Sequence, residues 1–107
     1  MQNGLLVVTA AATQDDAAGL ARSAVRARLA ASAQVHGPVR SFFWHLGELG
    51  EGEEWVVLLR TTVDRYDELE FHLLGEHPWD NPEMFAVALE RGSAAYLDWL
   101  TRSTAQS

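Results

Sequence analysis

The spacing of apolar positions changes along the chain, and each change marks an element. Leu5-Leu6-Val7-Val8-Thr9 is a consecutive apolar run with β-branched residues, which predicts a short buried strand. Thr13 follows as a helix N-cap, with Asp15 and Asp16 in the first turn, where carboxylates favour the helix dipole. From Ala17 to Ala31 the chain is rich in alanine. Leu20, Ala24, Val25 and Leu29 fall on one stripe while Arg22, Arg26 and Arg28 mostly face away, so this segment predicts an amphipathic helix. Gly37-Pro38 then interrupts a second strand and predicts a bend or bulge there. Val39 to Trp44 reads as strand, with Phe42, Phe43 and Trp44 consecutive. Gly47 to Glu53 reads by composition as a hairpin tip.

Trp55 to Leu59 is apolar without alternation, as strands covered on both faces are. Asp64 is expected to cap a second helix, with Tyr66, Leu69 and Leu73 on its inner face and Gly75 as its stop. The prolines of His77-Pro78-Trp79-Asp80-Asn81-Pro82 forbid regular structure between them. Phe85 to Leu89 is a last strand. Ser93 caps a final helix striped by Tyr96 and Leu100. The order β-α-β-β-α-β-α predicts an α+β, ferredoxin-like sandwich with an added C-terminal helix, in one domain over 1–107 whose tail, 103–107, is frayed. Two helices cover one sheet face only. Because the strands are apolar at consecutive positions, the other face is expected to be covered by further copies of the chain.

Composition narrows the function. The 107 residues hold 8 Lys+Arg against 15 Asp+Glu, a net charge of −7, and all eight cations are arginines. Without a basic stripe, neither nucleic acid nor an anionic membrane is an expected partner. The chain has no cysteine, which removes disulfides, thiolate metal sites and cysteine nucleophiles. The first arginine is Arg22 and Leu5 to Val8 is too short for a signal or a membrane span, so the expectation is a soluble, cytoplasmic protein. Nucleophile-elbow, phosphate-loop and zinc-protease motifs are absent.

Several ordered motifs resemble the CutA divalent-cation tolerance family. They are Leu29-Ala30-Ala31, Ser41-Phe42-Phe43-Trp44, Arg60-Thr61-Thr62, His77-Pro78-Trp79-Asp80-Asn81-Pro82-Glu83, and the closing Tyr96-Leu97 with Trp99-Leu100. The resemblance implies a ferredoxin-like subunit in a tight trimer, akin in architecture to PII-type signalling proteins that bind small molecules between subunits. It attaches no firm enzymatic reaction. The chain departs from the family's pattern at Ser32, where a cysteine is common. It departs again at Trp44-His45-Leu46-Gly47-Glu48, which gains a residue and exchanges a lysine for glutamate. Glu76 replaces a first histidine, and Trp79 replaces a tyrosine.

The candidate ligand-binding residues are His77, Trp79, Glu83, Trp44, Arg60 and Tyr96. His77 sits in a loop stiffened by Pro78 and Pro82, and is the one residue considered as a metal ligand. Its alternative role is to bond a backbone carbonyl and shape the loop. Trp44 and Trp79 could wall a pocket for a flat ligand. Arg60 would need a carboxylate, Glu83 or Glu54. His72 and Glu76 share one helix face at i, i+4 spacing, with His77 as a conceivable third metal ligand, although a solvated face explains them as well. No catalytic residue and no cofactor is assigned. Copper or zinc binding is expected to be weak and non-stoichiometric, because no thiol is available. The leading expectation is a CutA-like homotrimer that binds a small molecule or a divalent cation between subunits, in cation tolerance or PII-like signalling. The alternatives are an enzyme using the same cleft with His77 as acid–base group, or a trimerisation scaffold.

Overall fold

The structure, a computed structural model, describes residues 3–105. Strands β1 (Gly4–Ala11), β2 (Ser32–His45), β3 (Glu48–Thr62) and β4 (Met84–Ala88) form one antiparallel sheet in the order β2-β3-β1-β4. Helices α1 (Gln14–Arg26) and α2 (Tyr66–Glu76) pack together, and α1 lies against β1, β2 and β3. Helix α3 (Ala94–Ser103) lies against β3 and β1. This is the α+β, ferredoxin-like arrangement with an added C-terminal helix that the element order predicts.

The core lies between the sheet and the first two helices. Val7 and Ala11 of β1 and Val57 and Leu59 of β3 meet Ala17, Leu20, Ala21 and Ala24 of α1 and Leu69 and Leu73 of α2. Register explains the selection. Val7 lies opposite Leu59, and Val8 opposite Leu58, so odd positions of β1 and β3 turn to the helices and even ones to the other face. That second face carries Leu6, Val8, Val56 and Leu58, joined by Phe85 and Val87, which stay 45% and 50% exposed.

Helix α1 starts as expected. The Asp16 amide donates to Thr13 Oγ1 at 3.1 Å. It ends at Arg26, five residues short of the expected helix end at Ala31. The Leu29 amide reaches back to the Ala24 carbonyl and the Arg28 amide to that of Val25, with Arg28 left-handed at φ 61°. This is a Schellman ending built on arginine rather than glycine, so it leaves no glycine to mark the stop. Leu29 is buried as part of that ending, not as part of the helix.

Three further expectations are corrected. The hairpin tip is Leu46-Gly47, both at positive φ, and Glu48 to Glu53 belong to β3. Cross-strand pairing of Phe42 with Glu51 and Trp44 with Leu49 holds this glycine- and glutamate-rich stretch extended. Asp64 lies inside a short 3-10 turn, Val63–Arg65, and does not cap α2. Gly75 is helical, and α2 stops because Pro78 excludes a helical conformation at His77. At the C-terminus, Ser103 closes α3 and Thr104 is buried, its hydroxyl donating to the Leu100 carbonyl, so the chain is held further than the frayed tail expected from residue 103. Residues 106 and 107 of that tail lie outside the described residues. The irregularity near Gly37-Pro38 is present as a register shift between His36 and Val39.

Candidate functional site

The loop between α2 and β4 is tied to β1 at both ends. At its start the His77 ring turns inward and is only 9% exposed. Its Nε2 lies 2.8 Å from the Ala10 carbonyl oxygen, and the Trp79 amide donates to Nδ1 at 3.1 Å. Because an amide can only donate, Nδ1 holds the lone pair and Nε2 carries the proton given to Ala10. At the far end, Thr9 Oγ1 donates to the Glu83 carbonyl at 2.7 Å. Two prolines and two β1 contacts therefore preform the loop, and the His77 ring supports the Trp79 ring 5.2 Å away.

This loop forms one wall of an open cleft of about 780 Å³. The other wall is the β2–β3 hairpin where it projects past the end of β1, since Trp55 is the last β3 residue paired with β1. Trp44, Phe43 and Trp79 supply aromatic surface. Glu53, Glu54, Asp80 and His45 also line it. Trp44 is 78% exposed, so its face is open to a ligand or to another subunit.

Of the six expected binding residues, the structure brings only Trp44 and Trp79 together. His77 stands behind the loop with both ring nitrogens bonded to backbone, the loop-shaping role. Glu83 is exposed and is held through its carbonyl. Arg60 donates to Gln34 Oε1 at 2.6 Å and not to Glu83 or Glu54. It sits opposite Leu6 and Ser32, about 20 Å along β3 from the cleft. Tyr96 stacks on Trp99 within α3, with ring centroids 5.8 Å apart. His72 meets Ser23 rather than His77. Among the described residues no group of three or more His, Cys, Asp or Glu side chains gathers as a cation cage. Sequence reasoning did not place Glu53, Glu54 or Asp80 at the site: Glu53 fell in the glycine-rich stretch read as a turn, and Glu54 was considered only as a partner for Arg60, although strand pairing to Arg40 and Val39 fixes both beside the loop.

Residues 5–103 match the profile of the family described as CutA1 divalent ion tolerance protein. The chain belongs to that family. The divalent-cation tolerance protein CutA of Pectobacterium atrosepticum is 32% identical over 99 residues, 91% of this chain and 90% of the relative. The solved CutA of Synechococcus elongatus superposes with a TM-score of 0.92 at 31% identity, covering 98% of this chain and 93% of the other. A rice relative named CutA 1, chloroplastic, is 31% identical over 88 residues, 82% of this chain and 50% of that protein. CutA membership therefore carries no single compartment with it. Among the described residues no helix is long and apolar enough to cross a membrane. Of the departures from the expected motifs, Trp79 and His45 line the cleft, whereas Ser32 lies opposite Arg60 and Glu76 meets Ser23.

Proposed function

We propose that the chain works as a cytoplasmic homotrimer in divalent-cation tolerance or a PII-like signalling role, and that the Trp44–Trp79 cleft is its ligand site. The observation that carries this is a cleft between the preformed loop, which brings Trp79 and Asp80, and the β2–β3 hairpin, which brings Trp44, Glu53 and Glu54. Aromatic faces attract cations, and carboxylates around an apolar floor favour a small positively charged or polar amphipathic molecule, or a divalent cation. No arginine lines the cleft to oppose such a ligand. A neighbouring subunit would close the open side against Trp44. Binding is supported over turnover, because the acid–base role considered for His77 has no ring nitrogen to use.

Tetramethylammonium is a suitable probe, since it offers a charge and a methyl surface but no hydrogen bond. Its titration should give a saturable change in tryptophan fluorescence, and Trp79→Ala should weaken binding about tenfold. A linear, non-saturable response in the wild-type protein would contradict the reading.

A further inference from the structure

Helix α2 is apolar on two sides. Leu69 and Leu73, one turn apart, are buried in the core. Phe71 lies between them in sequence and so points the opposite way, where it is 84% exposed. Leu74, its i+3 neighbour, is 45% exposed. A solvated helix face carries polar side chains, whereas a helix apolar all round is covered on both sides. Among the described residues nothing covers the outer side of α2. Copies of the chain meeting on the open sheet face leave it uncovered too, because α2 belongs to the helical layer on the other side of the sheet.

We infer that this outer face docks a basic amphipathic helix of a partner protein. Phe71 borders a groove of about 530 Å³, to which Leu29 adds apolar surface and which Asp67, Glu68 and Glu76 also line. A Cβ at Gly75 would meet no atom within 4 Å, so the groove lies open above the helix there. The charge around it is one-sided. From Val63 to Glu76 the chain has five carboxylates, Asp64, Asp67, Glu68, Glu70 and Glu76, against one arginine. That arginine, Arg65, is 9% exposed and is engaged with Glu68 at 3.0 Å, so the surface left to a partner is acidic. The occupant that fits has leucine-like side chains against Phe71 and Leu29, and arginines or lysines reaching the flanking carboxylates. Arg22 and Arg26 line the hollow on the α1 side of His72 and repel a basic segment, so it runs along α2 and not across to α1. Ser23 Oγ lies 2.7 Å from His72 Nε2 and donates to Glu76 Oε2 at 2.9 Å. These contacts fasten α1 to α2, so the groove exists before a partner arrives. A second copy of the chain fits less well, because the charge of −7 on each copy opposes the approach.

The test is fluorescence anisotropy of a labelled peptide of about 18 residues, made of leucine and arginine with the leucines on one helical stripe, titrated with the intact protein. Circular dichroism confirms the fold of each variant. The wild type should bind saturably, and more weakly as salt is raised. A peptide of the same composition with its leucines scattered should bind at least about tenfold more weakly, and Phe71→Ser should weaken binding of the striped peptide by a comparable factor. Gly75→Arg fills the groove and opposes its charge while improving helix propensity, so it should keep the fold and lose binding to the same extent. Trp79→Ala, in the cleft, should bind the peptide as the wild type does. Non-saturable binding by the wild type, equal affinity for the two peptides, unchanged affinity in Phe71→Ser or Gly75→Arg, or loss in Trp79→Ala would overturn the docking face. Self-association that Phe71→Ser abolishes, without peptide binding, would overturn it too and give the face to a second copy of the chain. The cleft reading, tested by tetramethylammonium, stands or falls separately from these results.

Discussion

His77 shows how a residue's burial decides its role. An exposed loop histidine can be removed with little effect on stability, and a functional His77 would behave that way. In the structure the ring replaces solvent for two backbone groups, the Ala10 carbonyl and the Trp79 amide. Alanine would strand both, so His77→Ala is expected to lower stability by about 1–3 kcal/mol in urea unfolding. An unchanged midpoint would mean the ring is dispensable to the loop. Tyr66 makes a second residue-level case. Its hydroxyl is pushed up from 10.0 to about 12, first by burial, then by its hydrogen bond to Glu70 and the charges of Glu70 and Asp67. The fold thus favours the neutral phenol. The stability it contributes is complete below pH 10 and is lost as pH rises through 12. Over that window the wild type should lose stability more steeply than Tyr66→Phe, as followed by urea unfolding at stepped pH, and parallel profiles would refute the linkage.

At the scale of elements, the ending of α1 is the clearest place where pattern and structure part. Arg28 accepts a left-handed conformation that costs an L-residue roughly 1–2 kcal/mol, and glycine would remove that cost at some expense in unfolded-chain entropy. Arg28→Gly should therefore stabilise by up to about 1 kcal/mol, while the β-branched Arg28→Val should destabilise. Equal losses in both would show that the arginine side chain, not the backbone, governs the site. The same position explains what was legible in the sequence. Consecutive apolar runs and N-caps such as Thr13 and Ser93 are local signals, and both caps accept the expected amide. The ends of α1 and α2 depend on Arg28 and Pro78, and the apolar stripe or Gly75 points past or short of them. The hairpin was misread because strand pairing overrides the turn-like composition of Glu48 to Glu53. The two tryptophans of the cleft could be named as walls, but the approach of Glu53 and Glu54 to them follows only from cross-strand register.

The whole molecule leaves apolar surface that a lone chain has no means to cover. Phe85 and Val87 extend the second sheet face, and Phe42, Trp44, Leu46 and Leu49 line the projecting hairpin, all exposed. Helices α1 and α2 pack on the other face, so further copies of the chain are the expected cover for this surface. Stability should then rise with protein concentration, and the melting temperature should increase across a dilution series. The measurement that bears most directly on the account is the solution mass of the dilute protein by light scattering. Three times the 11.8 kDa chain mass is the predicted result. A monodisperse 11.8 kDa species at micromolar concentration would contradict it, because the second face and the open side of the cleft would then be exposed to water in the working protein.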